Sequence, residues 1–428
     1  MSSIIPSSNW RAYVKATTFY DNVASGSPAA DPVHAIAAGD ALRLSKCDIK
    51  QRIVNALRPD ERNTFRTQVS TYAGLHEATF DLEGILGIQG TAGTAPEMDD
   101  LLEHILGNKV VDPGVSVTYK PRAIISVDQP KALTILRHHY SDGAEFLVNG
   151  VIETAAFNFV NGELATISGS GVGAYGGTLG FTGATAPADA VAPYTFDVPG
   201  EIHLESLRRW IGNKIEFYDY TLGTTDNNGG AGYTLVSVEA ALTAGNTTVT
   251  VAEAIVGSAN PVFVRAFLPA PTLVNSIIPS GPVGIQITFG NLSADNFPAK
   301  SVEITIAKNN MARREGGFSG VSQAYCAGFE ASTRIEFVAD GDNEKIAYVA
   351  KNLALSNQGV MKLEFDAFQD RYFAATGNRL HVTMPQIALT EIPEWTDNEN
   401  DARGLVIAGR LLNSSGATEN DALQLKFL

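Results

Sequence analysis

Gly171-Val-Gly-Ala-Tyr-Gly176 is spaced like a dinucleotide-binding loop. Such a loop works because its glycines let backbone amides approach a pyrophosphate at the start of a helix. Here the chain continues as Gly177-Thr-Leu-Gly-Phe-Thr-Gly183, which cannot open a helix, so no nucleotide is expected. The seven histidines (His34, His76, His104, His138, His139, His203, His381) include no pair at the spacing of a zinc-binding helix. His138 and His139 point to opposite faces of a strand and cannot chelate together. His104 is read as a surface or packing residue. Cys47 and Cys326 are the only cysteines, too few for a disulfide framework or a four-cysteine metal site. Neither a Gly-x-Ser-x-Gly elbow nor a phosphate-cradling Gly-x-x-x-x-Gly-Lys loop occurs. No catalytic, cofactor or metal residue is therefore assigned, and an enzyme is not expected.

Carboxylates carry more information. Along Glu77-Ala-Thr-Phe-Asp-Leu-Glu-Gly84, a strand places Glu77, Thr79, Asp81 and Glu83 on one face and Ala78, Phe80 and Leu82 on the other. Three carboxylates on one face repel unless water screens them, so the face is expected to be wet and acidic. It is either the solvated side of an antiparallel sheet or the wall of a water-filled channel. Glu364 and Asp366 alternate with Leu363 and Phe365 in the same way. Asn309 to Gly317 contains Arg313-Arg314 followed by paired glycines and reads as an exposed, bent loop.

The elements that must position these residues are mainly strands. Short alternating or β-branched runs recur from Ser116 to Met384, among them Ser116–Tyr119, Ala123–Val127, Phe157–Val160, Leu164–Ser168, Val302–Ile306 and Met361–Phe368. Asn149-Gly150 and Asn161-Gly162 read as hairpin turns. The best helix is Pro96–Leu106, with Thr94 as cap, Glu97, Asp99 and Asp100 at its positive end, and Gly107 at its left-handed stop. Its stripe includes Leu101, Leu102 and Ile105, which should pack it onto the sheet. Asp48–Leu57 and Glu344–Leu355 are the other helix candidates. Two stretches without periodicity, Gly169–Ala192 and Pro269–Pro282, mark boundaries around a middle module.

The 428 residues are 44% hydrophobic and 18% charged, with 46 acidic against 31 basic residues and a net charge of −15. This length and apolar content exclude bulk disorder, and the acidity argues against gripping nucleic acid, which needs Lys and Arg at the phosphates. No signal peptide or membrane-spanning run is read, and the protein is expected to be soluble and made in the cytoplasm.

Three stretches in order resemble the tail tube proteins of long-tailed bacteriophages. Glu77 to Gly107 runs through Gly90-Thr-Ala-Gly-Thr-Ala-Pro96-Glu into Leu101-Leu-Glu-His-Ile-Leu-Gly107, like that family's polar-faced strand and short helix. Phe157-Asn-Phe-Val-Asn-Gly-Glu-Leu-Ala-Thr-Ile-Ser-Gly-Ser-Gly171 is similar to its second hairpin. Pro298-Ala-Lys-Ser-Val-Glu-Ile-Thr-Ile-Ala-Lys-Asn-Asn310, followed by Arg313-Arg314, resembles the strand and Arg-bearing loop of its C-terminal half. Met361 to Leu389, with Leu380-His-Val-Thr-Met-Pro-Gln-Ile387, continues the pattern.

The resemblance implies a mainly β, sandwich-like or barrel-like subunit with a flanking helix, whose long strands join neighbours' strands into a closed barrel. Residues 1–192 and 272–428 would form the tube domain and 193–271 an inserted or decorating β-rich module. Rings, usually hexameric, stack into a tube in the virion that conducts genome DNA during ejection without binding it. The chain's length leaves open a duplicated subunit and a trimeric ring. Implied partners are further copies, the tape measure, tail tip or baseplate and terminator proteins, and a sheath if the tail contracts; no cofactor is implied. Glu77, Asp81 and Glu83 would face the lumen, and Arg313 and Arg314 would contact the next ring. The competing classes are a carbohydrate-binding or adhesin-type β protein, which would present exposed Trp or Tyr to sugars, and another virion protein of the capsid or decoration type. The scattered Trp10, Trp210 and Trp395 speak against the first.

Overall fold

The computed structural model describes residues 10–17, 19, 36–53, 56–57, 71–72, 76–122, 131–139, 143–185, 193–199, 207–208, 210–219, 224–226, 228–240, 246–255, 261–268, 270, 280–289, 292–297, 299–313, 323–338, 351–352, 360–368, 379–397, 403–414 and 420–428. Strands dominate. The first third holds β1 (Trp10–Thr17), β2 (Ala41–Leu42), β3 (Leu44–Ile53), β4 (Ala56–Leu57), β5 (Thr71–Tyr72), β6 (His76–Ile85), helix α1 (Asp99–Leu106), β7 (Gly107–Asp112), β8 (Ser116–Pro121) and β9 (Ala132–His139). Two long strands follow, β10 (Gly143–Val160) and β11 (Thr166–Thr185). The middle carries β12 (Tyr194–Pro199), β13 (Lys214–Asp219), β14 (Thr224–Asp226), β15 (Tyr233–Ala240), β16 (Asn246–Val251) and β17 (Pro261–Phe267). The last third holds β18 (Ser280–Phe289), β19 (Leu292–Phe297), β20 (Ala299–Arg313), β21 (Gln323–Val338), β22 (Val360–Phe368), β23 (Arg379–Leu389), β24 (Glu394–Asp397), β25 (Arg403–Leu412) and β26 (Gln424–Phe427).

One sheet runs β3-β6-β11-β10-β20-β21-β25-β24, every neighbour antiparallel. A second runs β19-β18-β22-β23-β26-β8-β7. β23 belongs to both, because its C-terminal end turns onto β25. Period-two burial explains the stacking: Ile304, Ile306 and Phe159 of the first sheet meet Leu363, Phe365 and Ile287 of the second in one apolar core. Phe159 and Phe365 meet edge to face at 5.1 Å between ring centres. The sheets are large and antiparallel and do not close into a barrel within one chain.

The middle strands build a second core. Trp210, Phe217, Tyr233 and Phe196 pack together, and Phe146 of β10 joins them, its ring 5.1 Å from Trp210. The far end of β11 pairs with β17, so a single strand runs from the main sheet into the middle sheets. The Gly-rich stretch after Gly169, read as an aperiodic boundary, is strand as far as Thr185. Glycine's lack of a side chain hides the alternation there, while the backbone ladder to β10 and β6 still forms.

Helix α1 begins at Asp99, not near Pro96, and Thr94 does not cap it: Met98 holds the cap position without a side-chain bond, and the Asp99 N–H reaches the Pro96 carbonyl at 3.1 Å. It stops where expected, at Gly107 with φ 95°. The helix expected over Asp48–Leu57 is instead β3 and the short β4. Cys47 and Ile49 are buried one apart in the strand period, against Leu82 and Phe80 of β6, and that pairing overrides a weak helical propensity. Asn149-Gly150 is not a hairpin turn: β10 passes straight through, and Asn149 takes φ 54° inside a bulge. Asn161-Gly162 does turn the chain between β10 and β11, with Gly162 at φ 84°. Ala123–Val127, and Glu344–Leu355 apart from helical residues 351–352, lie outside the described residues.

Candidate functional site

The solvent side of the first sheet presents a polar surface to the outside of the core. On β6, Ala78, Phe80 and Leu82 enter the core, while Thr79 and Glu83 are exposed and Asp81 half-buried on the other face. Glu77, on that same face, is buried at 9% exposure, so the face is not wet along its whole length as expected. The wall is not purely acidic. Because Asp48 to Ile53 is strand rather than helix, β3 sets Lys46 opposite Glu83, Lys50 opposite Thr79 and Arg52 opposite Glu77. The Lys46 ammonium binds the Asp81 carboxylate, and this bond raises the Lys46 pKa. Asp48 lies 3.5 Å from Arg137. Cross-strand charge pairing thus replaces the self-repulsion expected from β6 alone.

Hydroxyls and small residues fill the centre of this face. Ser168 and Ser170 of β11 stand beside Glu83 and Asp81, and Ser170 shares a 2.6 Å hydrogen bond with Thr154 of β10. Beyond them come Thr305 and Glu303 of β20, facing Ser332 and Arg334 of β21. Arg410 of β25 closes on Glu330 at 3.1 Å, and Lys300 on Glu336 at 3.0 Å. The Lys46–Asp81 pair is exposed on both sides, so Asp81→Asn is expected to leave the unfolding midpoint nearly unmoved, read by thermal denaturation beside the parent chain. A large loss would mean the pair holds β3 in place.

The other residues singled out from sequence lie elsewhere. Leu101, Leu102 and Ile105 are all buried at 1% exposure or less, in the main core beneath α1. Arg313 is not in a loop: it is the last residue of β20, paired in register with Gln323, because the β20–β21 ladder extends that far. Arg314 lies outside the described residues. Glu364 and Asp366 alternate with buried Leu363 and Phe365, and the Asp366 carboxylate accepts a 2.8 Å hydrogen bond from His381 Nδ1.

The acids at the start of α1 do more than favour a helix dipole. They border a cleft of about 430 Å³ with Asp40 and Glu97. Asp99 accepts the Tyr119 hydroxyl at 2.6 Å and the Lys109 ammonium at 2.5 Å, and Asp100 accepts the Ala16 N–H at 2.9 Å. Burial, more than the neighbouring Asp99 and Asp40, raises the Asp100 pKa. These bonds tie the helix to β1, β7 and β8.

Two features with a chemical look serve one backbone irregularity. Where β10 bulges around Asn149, its ladder to β11 shifts register between Val148 and Val151 and again between Ile152 and Thr154. Gly171 lies under this bulge, and a Cβ there would stand 2.0 Å from the Val151 carbonyl oxygen. At Gly173 it would stand 2.6 Å from the Leu147 side chain. The glycine spacing that resembles a nucleotide loop is what close approach of two strands requires. His104 serves the same bulge: its Nε2 accepts the Ile152 N–H at 3.1 Å, a backbone donor that the irregular ladder leaves over. Accepting there puts the neutral ring's proton on Nδ1. Burial lowers the His104 pKa well below its usual value, and the Lys308 ammonium, which also donates to the His104 carbonyl, pushes it the same way. Sequence could not reveal this role, since a lone histidine on an apolar helix face carries no partner with it. Cys47 is likewise inert, with burial pushing its thiol up to about 12.

No protein-family model matches the chain, and no curated protein matches it.

Proposed function

We propose that this chain is a structural virion protein that assembles into stacked rings forming a bacteriophage tail tube, a conduit for genome DNA. The observation that carries the reading is the polar face of the first sheet. An eight-strand surface of hydroxyls and paired charges, backed by one apolar core, suits a wall along which a polyanion slides. Duplex DNA carries about one charge per 1.7 Å, so a wall whose Lys46, Lys300 and Arg410 are already matched by carboxylates offers fewer sites for phosphate to displace counterions. Glu77, Asp81 and Glu83 belong to this wall. The two long hairpins, β10–β11 and β20–β21, lie side by side in it through the β10–β20 ladder. That doubling favours three copies per ring over six. The middle strands would decorate the outside, and residues 1–192 and 272–428 would supply the tube. The role is structural rather than enzymatic, and the further partners are the tape measure, tail-end and terminator proteins.

The sugar-binding alternative loses its best platform, since Trp210 is only 1% exposed and Trp10 already carries the Arg137 guanidinium 5.5 Å from its ring centre. Negative-stain electron microscopy of the purified chain across a concentration series tests the proposal. Rings or hollow tubes with a lumen wide enough for duplex DNA are expected. A chain that stays monomeric at every concentration, and also when added to tail-end complexes, would refute it.

A further inference from the structure

We propose that Asn161 is a site of spontaneous deamidation in the folded chain, converted to aspartate and isoaspartate, while the fold protects the other two Asn-Gly pairs. The site is independent of whether the chain builds a tube.

Asparagine before glycine is the reactive pair, because no Cβ hinders the approach of the glycine nitrogen to the side-chain amide carbon. Base takes the Gly162 amide proton, and the nitrogen attacks Asn161 Cγ. The N–Cγ bond forms, the Cγ–Nδ2 bond breaks, and the amide nitrogen leaves as ammonia with that proton. Water then opens the cyclic imide. Opening at Cγ gives aspartate, and opening at the main-chain carbonyl gives isoaspartate, with one methylene more in the backbone. Nothing is oxidised or reduced, and water is the only other reactant.

Three such pairs occur in the sequence: Asn149-Gly150, Asn161-Gly162 and Asn228-Gly229. Asn161 and Gly162 are the exposed middle of the β10–β11 turn, closed by the Glu163 N–H on the Val160 carbonyl at 3.1 Å. Gly162 sits at φ 84°, and nothing lies within 4 Å of a Cβ there. Turn types I and II share the closing bond and differ in how the peptide between the middle residues is oriented. That peptide can therefore rotate toward the Asn161 side chain without opening the turn. Among the described residues, the Gly162 N–H makes no hydrogen bond that rotation would break. The Asn161 N–H, which donates to the Lys300 carbonyl at 2.8 Å, takes no part in the reaction.

The other pairs are held. Asn149 is fully buried inside β10, and Gly150 stands opposite Leu133 in the ladder to β9, the Leu133 carbonyl 3.0 Å from where a Cβ would be. Attack there must wait for the strand to open. Asn228 is half-buried in a tight turn, where its Nδ2 donates to the Gly232 carbonyl at 3.3 Å. An isoaspartate at 161 inserts its methylene between two anchored N–H groups, those of Asn161 and Glu163, and so loosens the tip where β10 meets β20.

Peptide mapping by mass spectrometry tests the site, after the folded chain has been incubated in mildly alkaline buffer. Asn161 should gain the mass of an amide-to-acid change, with isoaspartate among the products, at least about a hundredfold faster than Asn149. It should also outpace Asn228. In urea, where no fold holds the chain, the three pairs should react at similar rates. The unfolding midpoint of the aged parent should fall, while that of aged Asn161→Gln, which cannot form the imide as readily, should hold. An Asn161 that stays intact in the folded chain yet reacts in urea would overturn the proposal. So would Asn149 or Asn228 keeping pace with Asn161 in the folded chain. Equal falls in midpoint for the parent and Asn161→Gln would overturn the loosening at this turn.

Discussion

Gly171→Ala is expected to lower stability by about 3 kcal/mol, read as a fall in the urea midpoint with little change in slope. The new methyl would stand 2.0 Å from the Val151 carbonyl oxygen, with the Ile152 Cα at 2.9 Å. These are backbone atoms in a strand paired on both sides, so neither can swing away as a flexible side chain would. Either the bulge in β10 must flatten or β11 must move off it, and both break ladder bonds. Gly39→Ala is the matched control, because nothing lies within 4 Å of a Cβ there, and its effect should stay within about 0.5 kcal/mol. Equal effects at the two positions would mean that Gly171 is not a point of close approach.

His104→Phe is expected to cost about 1–3 kcal/mol at neutral pH, because it keeps a ring in the core but orphans the Ile152 N–H. His104→Gln offers a side-chain oxygen to the same donor and should recover part of the loss. The parent chain should also show an acid dependence that both variants reduce. The unfolded histidine takes up a proton near pH 6.5, whereas the folded one resists it to a lower pH, chiefly through burial and then through Lys308 and Arg122. Its stabilisation is therefore complete above about pH 6.5 and declines as pH falls from there toward the folded pKa, by at most about 1.4 kcal/mol per pH unit. The Lys131 backbone near the ring favours the charged form and only moderates this. Denaturant midpoints between pH 4 and 8, flat and identical in slope for parent and His104→Gln, would remove His104 as the group responsible.

The sequence by itself determined the class of fold and the faces of its strands. Alternation at Glu77–Glu83 and at Leu363–Asp366 is a period-two pattern that a half-buried strand must show, and burial follows it except at Glu77. The α1 stripe and Gly107 were legible for the same reason: helix periodicity and a left-handed stop are local properties. Tertiary structure decided the rest. β3 became a strand because β6 offered a partner for its backbone, and only then did Lys46, Lys50 and Arg52 come beside the carboxylates. Asn149 kept the positive φ that its residue type tolerates, yet whether such a kink turns a chain or bulges a strand depends on what pairs beyond it. The glycines of β11 could not declare their purpose either, since the carbonyl they make room for belongs to another strand. His104 waited on the same bulge for its hydrogen-bond partner, 48 residues further along the chain. Local periodicity is written in neighbouring residues, whereas charge balance, close approach and the satisfaction of a stray N–H arise only when distant strands meet.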